Sequence, residues 1–483
     1  MRHHGELCDP NAGVFGGGGA SIGGFWRAAV EMETSETSVA CSLLVVGGNA
    51  IRGFDPLNPG RGASNRQLTQ GLFGLFAPSI SFAIMAIMNP EADSASKQAT
   101  DSEAKQRALA DAGYTHVEGA PAPLPLELPH FSLRELRAAI PKHCFERSFV
   151  TSTYYMIKNV VTCTALFYAA TFIDRAPVAL QFALWPVYWF LQGSYLTGIW
   201  VVAHECGHQA YCSSEVVNNL IGLVLHSALL VPYHSWRISH RKHHSNTGSC
   251  ENDEVFVPVT RSVIESTWNE SVEDAPLYQL YRIVYMLVVG WMPGYLFFNA
   301  TGPSKYWGKP RSHFNPYSAI YADRERWMIV LSDIFLVLML AVLSVLVYTF
   351  SLATMIKFYF VPYMIVNAYL VLITYLQHTD TYIPHFREGE WNWLRGALCT
   401  VDRSFGSYLD HVVHRIVDTH VCHHIFSKMP FYHCEEATNA IKPLLGKFYL
   451  KDSTPVPLAL WRSYTCCKFI EDDGKVVFYK NKL

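Results

Sequence analysis

The sequence predicts an all-α integral membrane protein with four transmembrane helices in two hairpins, accompanied by interfacial helices. Three observations predict it. Half of the 483 residues are hydrophobic and only 16% are charged, against roughly 25% in a typical soluble domain. The apolar excess is gathered into Tyr154–Ile173, Ala179–Val202, Trp327–Phe350 and Phe358–Tyr375, each near the ~20 residues a helix needs to cross a bilayer. The links Asp174–Pro177 and Ser351–Lys357 are short, so each pair of segments crosses and returns.

Two further apolar stretches, Val216–Val231 and Leu280–Phe298, are shorter or broken, the second by Arg282 and Pro293. They are expected to lie on or dip into the membrane interface. Ordered structure is expected from Ser132, which forms a capping box with Glu135 ahead of Leu133, Leu136 and Ile140 at helical spacing. Residues 1–128 read as a poorly ordered extension, with glycines at Gly16–Gly19 and a linker marked by Pro121, Pro123, Pro125 and Pro129. No strand precedes the glycine run, so it is not read as a nucleotide loop. Gly71–Met88 is apolar but short for a span. It reads either as the hydrophobic part of a targeting sequence or as lying ahead of the true start, at Met85 or Met88. Glu31, Glu33 and Glu36 argue against an acid-poor transit peptide.

A net charge of −2 gives no basis for nucleic-acid binding. The 12 cysteines include no CxxC pair and are expected to be reduced thiols.

The 21 histidines are unevenly placed. Three clusters stand out: His204-Glu205-Cys206-Gly207-His208, His240-Arg241-Lys242-His243-His244 and His420-Val421-Cys422-His423-His424. Residues at i and i+3 or i+4 share a helix face, so each cluster can aim two imidazoles at one point. In the second and third clusters the adjacent histidine lies about 100° further round the helix, where it serves a second metal or closes the shell of the first. His226, His234, His385, His411, His414 and His433 have no such partners in sequence and read as ordinary polar contacts. Eight imidazoles exceed the four ligands of a zinc site and divide naturally between two metals. Glu205 and Asp418 read as groups that orient ring N–H bonds. The first cluster fits HExxH letter for letter, but a zinc protease would leave the other two clusters unexplained.

Topology gives an independent constraint. Two crossings separate the first cluster from the third, so both lie on one face. The second cluster reaches that face only if the two shorter stretches do not cross. Arg237, Arg241 and Lys242 beside it favour the cytosolic side.

Ile140-Pro141-Lys142-His143-Cys144-Phe145, the HECGH cluster, the stretch Val231-Pro232-Tyr233 to His244, Thr374-Tyr375-Leu376-Gln377-His378-Thr379, Arg395-Gly396-Ala397 and Thr419-His420 to His424 together closely resemble the membrane fatty acid desaturases. The resemblance is specifically to the endoplasmic reticulum Δ12 (oleate) type of plants and algae. It covers residues 129–483, with a desaturase domain over 129–450 and a cytosolic tail over 451–483. It implies a cytosolic helical cap carrying a di-iron site, with two iron ions held by the eight cluster histidines and one more. His378 matches the extra position. Asn367 lies eleven residues earlier on the same helix face; packing between helices is favoured for it over contact with a water near the metal.

The resemblance implies an O2-dependent oxidoreductase that takes two electrons and leaves a cis double bond in a fatty acyl lipid. Glu205 resembles the Δ12 type, where Asp is more usual in Δ15 enzymes. There is no haem-binding HPGG motif and no dinucleotide fingerprint, so electrons are expected from cytochrome b5 and its NADH reductase. The ending Tyr479-Lys480-Asn481-Lys482-Leu483 resembles an endoplasmic reticulum retrieval signal, which favours that membrane over a plastid one. Rival readings are Δ15 desaturation, hydroxylation, epoxidation or acetylenation on the same scaffold. A membrane metal carrier or sensor is more remote: it would line the segments with polar groups, and Asp333 is the main candidate there.

Overall fold

The computed structural model describes the backbone from Pro90 to Leu483 and side chains from Asp101. The Gly16–Gly19 run, the Gly71–Met88 stretch and the candidate starts lie outside the described residues. The chain divides into two compact units. The smaller, residues 28–107, contributes the described start of a helix, Pro90–Asp111. The described part of the larger, residues 108–483, holds everything that follows.

Order begins earlier than Ser132. Leu124 is buried at 1% exposure, its N–H donates to Tyr382 O at 3.1 Å, and Leu126 O accepts from Arg395 at 2.7 Å. The proline-rich segment is therefore a strap tied to the body of the protein through these two backbone groups. The expected capping box is present: Ser132 N–H reaches Glu135 Oε2 at 2.7 Å and Glu135 N–H reaches Ser132 Oγ at 3.3 Å, opening α1 (Leu133–Ala139).

The next helices are α2 (Phe149–Ala170), α3 (Val178–Gly207), the pair α4 (Glu215–Ala228) and α5 (Tyr233–Asn246), α6 (Pro276–Val289), α7 (Arg326–Phe350) and α8 (Val361–His378). Among the described residues, four helical stretches are long and apolar enough to cross a bilayer: Phe149–Arg175, Pro276–Phe297, Asp323–Phe350 and Leu352–His378. Three match expectation. The fourth, Pro276–Phe297, was expected to be interfacial, whereas α3 falls short by hydropathy although its 30 residues extend about 45 Å. Its tryptophans, tyrosines and glutamines lower the average, yet Phe182 stands 80% exposed on it. Val337 on α7 is 64% exposed. Large apolar side chains turned outward along whole helices fit lipid rather than water.

Several contacts set how these helices lie. Lys357, after α7, pairs with Asp174, after α2, at 3.0 Å, and Trp189 Nε1 donates to Lys357 O at 2.8 Å. α4 and α5, separated by a short break, are together apolar enough for a span but are bent by 107°. Pro232 sits at the bend and cannot donate a backbone bond across it. The bend is closed by Tyr233 packing on Gly222, where a Cβ would stand 2.2 Å from the ring. α6 runs beside the end of α8, with Ile283 in one cluster with Leu376 and Gly290 against Val371. A π-helical stretch, Gly290–Phe297, follows, with Pro293 inside it. It returns Tyr295 to α5, where its hydroxyl bonds Ser239 Oγ at 2.9 Å.

Helices that follow the last of these include α9 (His420–Ile425), α10 (Phe431–Leu445) and α11 (Val456–Cys466), and the same part of the chain contributes to two short two-stranded sheets. The C-terminal end is not a loose tail. Val476–Val477 pairs antiparallel with His385–Phe386, and Tyr479 is buried with its ring 5.1 Å from His385.

Candidate metal centre

Four elements bring the histidines together. His204 closes α3 and His208 caps it; His240, His243 and His244 lie on α5; His378 is the last residue of α8; His420, His423 and His424 lie on α9. The short α9 is held at its start by Asp402, whose Oδ1 accepts the Val421 N–H at 2.8 Å.

The nine rings sort into two sets. His204, His208, His240, His244 and His423 have ligand atoms within 4.8 Å of one another, and so do His243, His378 and His424. His420 joins the second set, its Nε2 lying 3.2 Å from that of His378 and 3.1 Å from that of His424. The division runs through each HxxHH motif. His240 and His244, at i and i+4, belong to the first set while His243 at i+3 belongs to the second; His420 and His424 belong to the second while His423 belongs to the first. The rings of His244 and His424 stack at 4.1 Å where the sets meet.

The chemistry of this cage fits a metal. Facing Nε2 atoms are 2.9 Å apart for His204 and His240, 3.2 Å for His204 and His208, and 3.3 Å for His243 and His378. Two imidazole nitrogens each about 2.1 Å from one ion and at right angles stand about 3.0 Å apart. Mutual hydrogen bonding is a poor alternative. His420 Nδ1 faces the Ile416 carbonyl at 3.1 Å and so carries its proton, which leaves Nε2 a bare lone pair aimed at other rings. His423 Nε2 is buried with no hydrogen-bond partner. Burial holds the imidazoles of His420, His423 and His424 well below their ordinary pKa, so they stay in the neutral, ligating form.

Of the groups expected around the cage, Glu205 is buried, with Oε1 3.3 Å from His204 Nδ1 and Oε2 accepting the Phe431 N–H at 3.1 Å. Its carboxylate is tied to the protein rather than free to act as the base of an HExxH protease. Asp418 pairs instead with Arg415 at 3.0 Å. Asn367 is buried, its amide 3.9 Å from Met364 Sδ on its own helix. Sequence reasoning missed Asp253, which lies 2.6 Å from His243 Nδ1, and Trp236, whose ring stacks on His240 at 4.5 Å. Asp253 sits in a loop with no periodicity, so only its proximity in sequence to the second cluster could have drawn attention to it.

The family described as fatty acid desaturase matches residues 183–455. Among curated proteins, a Delta(12) fatty acid desaturase of Mortierella isabellina is 49% identical over 73% of this chain and 92% of its own length. The chain belongs to the fatty acid desaturase family. A Delta(12)-acyl-lipid-desaturase of Punica granatum is 48% identical over 74% of this chain and 93% of its own. An omega-6 fatty acid desaturase, endoplasmic reticulum isozyme 1, of Glycine max is 45% identical over 74% and 92%. In this desaturase the family match takes in all three histidine clusters and His378.

Proposed function

We propose that the enzyme is a Δ12 desaturase that converts an oleoyl chain to a linoleoyl chain, using O2 and two electrons at two irons. His204, His208, His240, His244 and His423 would hold one iron, and His243, His378, His420 and His424 the other. The convergence of nine imidazoles carries this reading, with the names of the relatives supplying the regiochemistry. Iron bound there would supply the one-electron and O2 chemistry that acid–base side chains lack.

The protein's part is to hold, orient and dry the site. Asp253 fixes the His243 tautomer, and the Ile416 carbonyl does the same for His420. Trp200 and Trp236 stand against His204 and His240 and shield them from water.

Two transmembrane hairpins, α2–α3 and α7–α8, are the arrangement we favour. The Asp174–Lys357 ion pair supports it by joining both turns at one end. The histidines then lie at the other end, which requires α6 and the π-helical stretch to enter beside α8 and turn back. A crossing there would put an odd number of spans between His244 and His378. The flanking basic residues favour the cytosolic face of the endoplasmic reticulum membrane, with cytochrome b5 and its NADH reductase delivering electrons to a helical cap. Residues 129–450 would form the desaturase domain, preceded by an extension. A retrieval role for the last five residues would fall to Lys482 and Leu483, which are exposed, rather than to the buried Tyr479.

Expression in a yeast that makes oleate but no linoleate tests the function. Linoleate in the membrane lipids is the expected result. A hydroxylated product, a Δ15 product, or metal binding without O2 consumption would overturn it.

A further inference from the structure

A second group of ligand-type side chains lies outside the cage. His143 and Cys144 are on the 3-10 turn Lys142–Phe145, just before α2, and His433 and Glu436 are on the first turns of α10. One ligand atom from each lies within 4.8 Å of all the others. His143 Nε2 is 2.9 Å from Glu436 Oε2 and 3.7 Å from Cys144 Sγ. The rings of His143 and His433 meet edge to face at 5.5 Å.

We propose that His143, Cys144, His433 and Glu436 form a metal site separate from the histidine cage, holding one zinc-class divalent ion in a closed tetrahedral shell. Thiolate, carboxylate and imidazole are the donors such an ion takes, and four of them leave no open position, as in structural rather than catalytic sites. One thiolate and one carboxylate balance the ion's two charges. His433 and Glu436 are three residues apart on a helix and share a face. An ordinary surface ion pair accounts for His143 and Glu436, whose side chains are 53% and 50% exposed. It does not account for a fully buried cysteine turned toward the same imidazole nitrogen, nor for a second histidine against it. The half-exposed pair gives an ion an entry path. The site would clip the approach to α2 onto the start of α10, whose first N–H is the one Glu205 accepts.

The test uses the full-length protein purified with its iron. Wild type should retain about one zinc per chain through dialysis. His143→Ala/Glu436→Gln, both on the surface, should lose zinc at least tenfold while keeping wild-type iron. Exchange with cobalt(II) should give a thiolate-to-cobalt charge-transfer band that Cys144→Ser removes; the cage sets contain no sulfur ligand. Equal zinc in wild type and the double variant, or cobalt-exchanged wild type without the band, would overturn the proposal. Neither result bears on the desaturase reading, since the cage shares none of these residues.

Discussion

Asp253 Oδ1 lies 2.6 Å from His243 Nδ1, and the same buried carboxylate accepts the N–H groups of Gly248 at 3.0 Å and Glu254 at 2.7 Å. The loop after α5 thus holds an acceptor rigidly against one cage histidine. A ring whose Nδ1–H is held this way presents Nε2 as a lone pair, and it is Nε2 that faces His378. Asp253→Asn keeps the shape and removes the charge. Metal affinity should fall ~10–100-fold, read as iron per chain and as linoleate formed. Wild-type iron loading in that variant would show that Asp253 does not orient the ligand.

The division of the cage predicts which histidines are dispensable. Replacing His423 with Ala should cut product at least ~100-fold, the upper end of what even an outer partner contributes. His411 is not in the cage; its exposed ring lies 3.1 Å from Lys158 Nζ. His411→Ala should leave fatty acid profiles within about twofold of wild type, since exposed polar contacts contribute little. A silent His423→Ala would remove that residue from the ligand set.

Much of this site was legible because it is local. The i, i+3, i+4 spacing of His240, His243 and His244 is a helix-face pattern that lets two rings aim at one point and leaves the third either to a second set or to the same one; in the fold His243 lies with the other set. Asp253 was not legible, because an irregular loop has no period to read. The pairing of His143 with Glu436 was not either, because 293 positions separate them. Hydropathy ranked α6 and its π-helical continuation above α3. Average apolarity measures attraction to lipid and does not encode which neighbours a helix meets, such as Gly290 against Val371. The proline-rich strap was misread for a related reason. Its order comes from distant partners, Tyr382 O and Arg395, and not from its own sequence.

Gly207, inside the first cluster, makes room for Trp236. A Cβ there would stand 2.8 Å from the buried indole, which itself stacks on His240. Gly207→Ala should destabilise the protein by about 1–3 kcal/mol, the usual cost of overpacking. It should also lower activity more than protein yield, because the displaced ring backs a ligand. Thermal melting in detergent alongside product per mole of iron checks both. Unchanged product per iron would mean the indole can move without dragging His240.

Asp402 gives a pH prediction. Its carboxyl is buried, which pushes it up to about 7, only partly offset by the Tyr449 hydroxyl and the Val421 N–H. In the unfolded chain the value is about 3.9. Between those values the native state binds a proton that the unfolded state releases. This group's contribution is therefore complete below pH ~4 and lost as pH rises through ~7, with a slope of at most about 1.4 kcal/mol per pH unit. Asp402→Asn keeps an acceptor for Val421 and cannot titrate. From pH 5 to 8 the wild-type melting temperature should fall relative to that of the variant; parallel curves would count against a protonated Asp402.

Arg403 is fully buried, with Nη1 2.7 Å from Asp452 and Nη2 3.1 Å from Asp380, two residues beyond His378. Arg462 on α11 reaches the same two carboxylates at 2.5 and 2.6 Å. Two cations and two anions close a neutral network that ties α11 to the end of α8. Burial alone would raise Asp452, but Arg403, Thr454 and Arg462 outweigh it and hold the carboxyl at about 2. Its contribution is thus present above pH ~4 and is lost as pH falls toward 2. Arg403→Leu strands one buried negative charge and should cost about 3–5 kcal/mol, seen as a large drop in melting temperature. Arg403→Lys keeps the charge but not the two-pronged geometry and should recover only part of that loss. If Arg403→Leu melts like wild type, the network does not hold α11 to the site, and the stability of the His378 end must come from apolar packing around Tyr375 and Leu376.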